Sequence, residues 1–571
     1  MRQTQRSPTI SQTISRLSIW AGCAVLLVTA GITQEGHAEF HNATRRALAA
    51  ADQVLSWRPI HQTDRRIRSG SPLDFSKFFD TQPAGANGPV RVSASGDLIT
   101  GPRDNPKRMR FHCGSLAWSP ASGSFPDKAT ADVYAEQMRL QGYNLARFHF
   151  VDAILMSGRK KDFSFDPEQL DRFHYLLAAL KRNGIYWMID IHTSQNGAIG
   201  NVFPHRWIEP HSLKLDVHFK ATAKRHWQKM ARMLIGAKNK YTGSTIANDP
   251  ALAVIITTNE GGIEFANYLE ENKTGRAYAP IMRIPFNRFL KQKYKTDAAL
   301  KSAWRRVPRG ESLRAMTVAL PDSHSTRGPR MRDFQQFAHT TELNTFRWQS
   351  ETVRQLGFNG PISAFNNMPT TAADLSRGEL ELVTMNSYHD DVLSFEPGTT
   401  INQDSSLADD LAYLRELSST RWAGRPFIVT EHNHMFWNRH RHQSGLLAPA
   451  MAALQNWDGL CRHGTGPIDL ATASDLPHKR RILPYSIGTD PISRAAETLT
   501  ALVFRRGDAQ PIKLKTTVSL NSFSDVIDDG QAPLPVSITK LALITQFALT
   551  DQHKKKKDPT TSPNRLIPES Q

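Results

Sequence analysis

Two glutamates follow apolar runs, and their setting suggests chemistry. Glu260 ends the apolar part of ALAVIITTNEGG (251–262), and Glu431 lies near the end of RPFIVTEH (425–432). The β-branched run in each predicts a buried strand that carries a carboxyl group out of an apolar wall. Cleavage of a glycosidic bond needs two carboxyl groups: a protonated one to donate to the leaving oxygen, and an ionised one to attack or stabilise the sugar centre. We therefore predict that the two glutamates are a catalytic pair.

Other polar residues fall at the ends of predicted strands. They are Arg147 and His149 after the second strand, Asp190 and His192 after the third, Asn259 beside Glu260, Tyr388 after the sixth, and Trp457 in the eighth. An apolar wall raises the pKa of a carboxyl group, whereas hydrogen bonds from neighbours such as Arg147 and Tyr388 lower it. Asn259 could hydrogen-bond a sugar hydroxyl. Gly261-Gly262 let the backbone turn without covering Glu260.

The elements that must position these residues alternate between strand and helix. Strands are predicted at 108–118, 143–150, 185–193, 251–262, 361–366, 381–388, 425–432 and 454–460. Between them lie helical patterns such as 166–184, which starts with Asp166-Pro167 and ends with Gly184. Eight such strands predict an α/β fold, a (β/α)8 barrel over residues 71–507, with catalytic groups at the C-terminal strand ends. An open doubly wound sheet is the alternative, but the sequence has no Gly-rich phosphate loop.

The ends of the chain carry different patterns. Arginines, an apolar run at 17–32 and small residues up to Ala38 predict a secretory signal at 1–38 and export to the periplasm, cell surface or medium. The run is shorter than the roughly 20 residues of a membrane span, although an uncleaved anchor stays an alternative. The other terminal segments are predicted to be a polar leader (39–70), N-terminal entry strands (from 90), a small β appendage (508–550) and a disordered basic tail (551–571).

The charge and the cysteines limit the partners. Residues 1–38 hold three arginines and one glutamate, so +16 of the formal +18 lies in the rest of the chain. This excess favours polyanions, and for an exported protein these are acidic or sulfated polysaccharides rather than nucleic acid, for which no motif is present. After signal removal, Cys113 and Cys461 remain. The first and eighth strands of a closed barrel are neighbours, so a disulfide between these cysteines is one hypothesis, and two free thiols are the alternative.

The sequence resembles the clan A retaining glycoside hydrolases, a group that includes cellulases, mannanases and β-galactosidases, over about residues 71–507. The matches, in strand order, are Arg147, Asp190-Ile191-His192, Asn259-Glu260, Tyr388, Glu431 and Trp457. The resemblance implies that Glu260 is the acid/base, that Glu431 is the nucleophile contacted by Tyr388, and that Trp457 floors the sugar site. It also implies a β-linked polysaccharide or oligosaccharide substrate and no cofactor. The strand-six end reads Asn386-Ser387-Tyr388-His389, where these enzymes more often have His-x-Tyr.

Some patterns have competing interpretations. Arg147 and Asp190 could be a purely structural ion pair. His149, His192 and His432-Asn433-His434 suggest metal binding, but no metal-binding motif accompanies them, and we predict no metal site. WNRHRH (437–442) is either a solvated basic loop or a site for sulfate or carboxylate groups on the glycan. The alternative to an enzyme is a glycan-binding or cell-envelope protein that kept the barrel without turnover.

Overall fold

The protein's strands follow the predicted order. The computed structural model describes residues 65–551 except 81, 118–124, 196–205, 391–399, 465, 469–484, 486 and 521–531. The described strands are β1 (Arg91–Val92), β2 (Leu98–Thr100), β3 (Lys107–Arg108), β4 (Phe111–Leu116), β5 (Leu145–Phe148), β6 (Tyr186–Asp190), β7 (Leu252–Ile256), β8 (Ile362–Ser363), β9 (Val383–His389), β10 (Phe427–His434), β11 (Gly459–Arg462), β12 (Lys515–Ser519) and β13 (Gln546–Thr550). The predicted signal, most of the leader and nearly all of the tail lie outside the described residues.

Strands β4 to β11 form one parallel sheet in the order β8-β7-β6-β5-β4-β11-β10-β9. The first and last of these strands in sequence, β4 and β11, are hydrogen-bonded neighbours, so the sheet curls round on itself. Between β8 and β9, the Asn386 N–H donates to the Asn366 carbonyl, and the Ser363 hydroxyl donates to the Leu382 carbonyl at 2.7 Å. The sheet is a nearly closed barrel of eight strands, which confirms the predicted (β/α)8 fold.

Helices lie between the barrel strands and after the last of them. They are α1 (Lys128–Leu140), α2 (Val151–Leu155), α3 (Pro167–Arg182), α4 (Leu213–Phe219), α5 (Ala221–Ile235), α6 (Ile263–Thr274), α7 (Arg283–Tyr294), α8 (Asp297–Trp304), α9 (Pro329–Gln355), α10 (Thr371–Arg377), α11 (Ala412–Ser419), α12 (Ser444–Leu454), α13 (Pro491–Leu499) and α14 (Val536–Thr539). Helix α3 begins as predicted, with the Asp166 side chain accepting from two backbone N–H groups and Pro167 in the first turn. None of the helices in the described part of the chain is long and apolar enough to cross a membrane.

The barrel wall is apolar because each strand is covered on both sides. Every residue of β5, β6 and β7 is buried. One face of each strand points into the barrel and the other packs against the helices, which is why these strands are continuous apolar runs in the sequence and not alternating patterns. The polar side chains that these strands do carry, such as Arg147 and Asp190, are therefore buried as well.

Small additions flank the barrel at both ends of the sequence. Strands β1 to β3 form an antiparallel sheet at the N-terminal end of the barrel, where the Leu98 N–H donates to Asp458. Strands β12 and β13 pair in parallel, and their side chains join a hydrophobic cluster with residues of β9 and β10. The predicted N-terminal extension and C-terminal β appendage are thus present, while the exact domain boundaries stay predictions.

A disulfide joins the first and last barrel strands. Cys113 and Cys461 are direct partners in the register of β4 and β11 and are bonded to each other, with 4.3 Å between their Cα atoms. Of the two alternatives left open by the sequence, the structure has the disulfide. The bond closes a loop of 348 residues, so it restricts the unfolded chain strongly.

Replacing both cysteines with alanine is expected to lower the free energy of unfolding by about 3–5 kcal/mol, because the unfolded chain regains the entropy that the bond removes. Urea unfolding of the wild type and of the double variant measures the difference. The control is the wild type unfolded in excess reductant, which breaks the disulfide. Its free energy of unfolding should equal that of the double variant, apart from the packing contribution of the two sulfur atoms. Equal unfolding midpoints for oxidised and reduced wild type would contradict the prediction.

Candidate active site

Glu431 is held at the C-terminal end of β10 by a local irregularity of the strand. In the pairing with β9, Val429 lies opposite Met385 and Glu431 opposite Asn386, so Thr430 is an extra residue on β10. Such a bulge bends a strand and re-aims the side chain that follows it. The Glu431 side chain is 6% exposed and points into the barrel mouth among residues of three other strands.

Several donors surround the Glu431 carboxylate. The Arg147 Nη1 donates to Glu431 Oε1 at 2.9 Å, and His149 Nε2 lies 2.9 Å from the same oxygen. The Tyr388 hydroxyl donates to Glu431 Oε2, which also lies 3.4 Å from His463 Nδ1. Burial alone would raise the pKa of Glu431, but His463, Arg147 and His149 together hold it well below its usual value. Glu431 is therefore ionised across the physiological pH range, as a nucleophile must be.

Arg147 lies at the centre of this arrangement. Its guanidinium makes a two-pronged contact with Asp190, at 2.9 and 3.3 Å. It also donates to the Thr430 carbonyl and to Asn259 Oδ1, each at 2.7 Å. A planar guanidinium suits this pattern because its donors have fixed directions. One buried cation thus links the ends of the second, third, fourth and seventh barrel strands.

Glu260 lies four residues beyond β7 in a left-handed backbone conformation, with φ of 51°. A residue other than glycine is uncommon in this region, and neighbours must hold it there. The Glu260 N–H donates to Asn366 Oδ1 at 2.6 Å, and His218 Nε2 donates to the Gly261 carbonyl at 2.8 Å. These contacts turn the Glu260 side chain into the mouth, where 18% of it is exposed.

The neighbours of the Glu260 carboxyl differ from those of Glu431. Amide groups of Asn367 and Asn386 donate to Glu260 Oε1 at 2.7 and 3.2 Å, and Lys214 Nζ lies 3.9 Å from Oε2. Burial and the charge of Glu431 raise the pKa of Glu260, although Lys214 and the two amides oppose this rise. The two carboxyl groups are thus close enough to interact electrostatically, and Glu260 keeps its proton to higher pH than an ordinary glutamate does.

A chain of hydrogen bonds joins the two glutamates through residues that lie between them. Asn366 Nδ2 donates to Asn259 Oδ1 at 3.0 Å and to Thr430 Oγ1 at 3.1 Å. The Thr430 hydroxyl donates to Asn386 Oδ1 at 2.6 Å, and the Asn386 amide donates to Glu260. Because these side chains are buried and mutually hydrogen-bonded, they fix the separation of the two carboxyl groups.

The structure gathers most of the predicted residues at this site. Glu260, Glu431, Arg147, His149, Asp190, Asn259 and Tyr388 are joined by the contacts above. His192 reaches the same end of the barrel, but its side chain is 3% exposed and its ring lies 3.8 Å from Asp152 instead of touching either glutamate. His192 contributes through its backbone, since its carbonyl accepts from the Asn259 N–H.

The prediction that Trp457 floors the sugar site is wrong. Helix α12 runs to Leu454 and β11 begins only at Gly459, so Trp457 precedes the strand and lies at the opposite, N-terminal end of the barrel. Its side chain is fully buried and packs edge-on against Phe427, the first residue of β10. The pattern at 454–460 predicts the eighth strand several residues before its actual start at Gly459.

Three contributions were missed by the sequence interpretation. His463 lies just after β11, and the corrected strand position would have identified it by the same rule as the glutamates. Asn366 and Asn367 follow the fifth strand, so the same rule applies to them, and both contact Glu260. Lys214 lies on α4, far from any strand end, and no pattern in the sequence indicates its place beside Glu260.

His149, Glu431 and His463 have ligand-type atoms within 4.8 Å of one another, a grouping that could hold a metal ion. The donor set does not favour one here. Arg147 and Tyr388 already donate to the two Glu431 oxygens, and a metal ion would have to displace these donors and lie beside a buried guanidinium. The group instead suits a carboxylate held ionised by hydrogen-bond donors.

The basic loop 437–442 is only partly available to a ligand. Arg441 pairs with Asp490, with its Nε 2.8 Å from Asp490 Oδ2, so its charge is already compensated, and its binding of glycan anions stays a prediction. Arg439 is exposed. Trp437 in the same loop is 40% exposed and is therefore better placed to stack on a sugar than Trp457.

The fold and the comparisons together define a (β/α)8-barrel glycoside hydrolase. Residues 130–465 match the profile of glycoside hydrolase family 42, described as β-galactosidase. This match covers more than half of the chain, and the chain belongs to that family. The resemblance to clan A retaining glycoside hydrolases is thereby confirmed. No curated protein matches the chain significantly.

The chain is similar to several solved structures of β-galactosidases and of a mannanase. The β-galactosidase of Rahnella sp. R3 is 14% identical with a TM-score of 0.50, covering 78% of this chain and 65% of that one. The β-galactosidase of Marinomonas ef1 is 15% identical with a TM-score of 0.45, covering 71% and 63%. The endo-β-1,4-mannanase of Thermotoga petrophila is 12% identical with a TM-score of 0.43, covering 71% and 78%. The chain spans less than two thirds of the length of these two β-galactosidases.

Proposed function

We propose that the protein is a retaining β-glycosidase that cleaves a β-linked polysaccharide or oligosaccharide, with Glu431 as nucleophile and Glu260 as acid/base. The observation that carries this proposal is the contrast between two interacting carboxyl groups in one barrel mouth. The pKa of Glu431 is held well below its usual value, whereas the pKa of Glu260 is raised. Environments that push two carboxyl pKa values apart are what a glycosidase needs to assign its acid and its nucleophile.

In the proposed mechanism each group has one role. In the first step, a Glu431 oxygen attacks the anomeric carbon while Glu260 passes its proton to the glycosidic oxygen, and the carbon–oxygen bond breaks with its electron pair on the leaving oxygen. In the second step, the ionised Glu260 takes a proton from water as that water attacks the same carbon and releases Glu431. Tyr388 and Arg147 donate to Glu431 and position it, and Asn259 fixes Arg147 beside it.

A mechanism-based fluorosugar tests the proposal. A 2-deoxy-2-fluoro β-glycoside with an activated leaving group, tried first as the galactoside because of the family's description, should inactivate the protein and add one sugar to Glu431. Peptide mass spectrometry locates the label. The E431Q variant is the matched control and should stay unlabelled. Failure of every β-glycoside in a panel of fluorosugars to label Glu431 would reject the assignment.

The competing proposal is a glycan-binding or cell-envelope protein without turnover. The charged site gives it less support, because binding alone does not require one carboxyl group held ionised next to another biased towards its protonated form. The label distinguishes the two, since only an active retaining enzyme forms the covalent intermediate.

Export and an anionic substrate are further parts of the proposal. The signal pattern at 1–38 supports export, and the formal charge of +18 supports acidic or sulfated glycans as substrates. The Cys113–Cys461 disulfide also suits an oxidising compartment. Fractionation of producing cells tests export, and hydrolysis of neutral and acidic glycans side by side tests the substrate charge.

A further inference from the structure

Lys214 is a buried lysine whose ammonium faces the acid/base glutamate. Its side chain is 4% exposed, and its Nζ lies 3.9 Å from Glu260 Oε2. Among the described residues this ammonium makes no other ion pair within 4 Å and no hydrogen bond, while the Phe265 ring lies 5.8 Å away. Burying a lysine charge is costly unless a partner compensates it, so the position calls for an explanation.

The rest of the fold holds Lys214 in this place. Lys214 belongs to α4, and His218, one turn further along the same helix, contacts the Gly261 carbonyl at 2.8 Å. At the start of α4, the Ser212 N–H donates to Glu270 of α6, the helix that follows Glu260, at 2.9 Å. Two links therefore tie α4 to the segment that carries the acid/base, and they fix the distance from the ammonium to the carboxyl group.

We propose that Lys214 is the counter-charge of Glu260 and stabilises its carboxylate after the proton has passed to the leaving group. This inference rests on the proposed function. When Glu260 gives its proton to the glycosidic oxygen, it becomes an anion facing the Glu431 position across the mouth, and Lys214 compensates that new charge. Glu260 then remains ionised as the base that takes a proton from water in the second step. Lys214 is a positioning residue, because it acts through Glu260.

Other charges face this pair from the surrounding elements. They are Glu431 on β10, Asp190 at the end of β6 and Asp152 on α2, together with the His192 ring. Burial lowers the pKa of Lys214, while Glu260, Glu431, Asp152 and Asp190 oppose the fall and help to keep it charged. Arg147 pairs with Asp190, and the Ser194 hydroxyl donates to Asp152. Within 4 Å, Glu260 has only Lys214 as a cation among the described residues.

The test replaces the charge and follows the titration of Glu260. In K214M the pKa of Glu260 should rise by about one pH unit or more, since a unit charge near 4 Å is lost. The alkaline limb of the pH profile of kcat/KM should shift to higher pH by the same amount, because Glu260 then stays protonated to higher pH. With an activated aryl glycoside, whose turnover is limited by the second step, kcat at pH 6 should fall roughly 10-fold, because less Glu260 is ionised to act as base.

Two variants make this result specific. K214R should restore most of the pKa and of kcat, because it keeps a cation near Glu260. K220M, the same substitution at the end of α4, removes an ammonium that pairs with Glu209 and Asp216 and should leave the pKa of Glu260 unchanged. Carbon-13 NMR of the glutamate carboxyl groups, with the Glu260 signal identified by its loss in E260Q, follows this pKa without any substrate.

A shift below 0.3 pH unit in folded K214M, or an equal shift in K220M, would overturn the proposal. So would a K214M variant whose only change is a higher KM for acidic glycosides, which would assign Lys214 to substrate binding. Because the carboxyl titration needs no turnover, a wild-type protein that hydrolyses no glycoside counts against the proposed function and not against the ion pair.

Discussion

The E431A variant is expected to lose glycosidase activity by at least roughly 10⁴-fold in kcat/KM, because it lacks the proposed nucleophile. Azide or formate added to this variant should fit the space left by the side chain and restore part of the activity with activated glycosides. The product with azide should be the α-glycosyl azide, since a single displacement inverts the configuration. Proton NMR of the product measures the configuration directly.

The E260A variant is the control for E431A, because its activity should depend on the leaving group and its azide product should have the opposite configuration. Loss of the acid should lower kcat/KM by roughly 10²–10⁴-fold for substrates with poor leaving groups, and far less for activated aryl glycosides that depart without a proton. Azide should now give the β-glycosyl azide, because the glycosyl-enzyme on Glu431 still forms. If both variants gave the same azide product, or if E260A lost equal activity on all leaving groups, the two roles would be wrongly assigned.

The sequence predicted the residues that lie at strand ends, and physics explains why. In a barrel, the C-terminal ends of the parallel strands surround the mouth, so a carboxyl group or an arginine that follows an apolar strand lies there. The pattern alone therefore predicts that Glu260, Glu431 and Arg147 lie at the mouth. The same rule failed for Trp457 because it depends on where the strand lies. The segment 454–460 contains the end of a helix, a turn with Asn456 at φ of 59° and the start of a strand. The spacing of its apolar residues does not show where the helix ends and the strand begins.

Contacts across the mouth could not be predicted. The 3.9 Å approach of Lys214 to Glu260 depends on how α4 packs on α6, which is a property of the tertiary structure and not of local pattern. The sequence FIVTEH likewise does not indicate the bulge at Thr430, although this bulge determines the direction of the Glu431 side chain. The amide network of Asn366 and Asn386 depends on the register between strands, which distant residues fix.

Removing the central guanidinium is expected to have the second large effect, on stability as well as on activity. In R147M, Asp190 and Glu431 would remain buried without their shared cation, and breaking a buried ion pair by removing one partner costs about 3–5 kcal/mol. The pKa of Glu431 should also rise. Because the nucleophile must be ionised, activity is lost as pH falls through this pKa, and the acid limb of kcat/KM should move to higher pH.

Two further variants separate these effects. Arg415 on α11 is also buried, but it donates to backbone carbonyls and Thr539 and touches no carboxylate of the site, so R415M should lower stability without moving the acid limb. R147M/D190N removes one uncompensated carboxylate and should regain part of the stability of R147M, while the acid limb stays high because Glu431 still lacks its cation. Urea unfolding and pH–rate profiles of the four proteins measure both quantities. An acid limb that stays in place in R147M would show that His149, His463 and Tyr388 suffice to hold Glu431 ionised, and Arg147 would then be a structural link between strands.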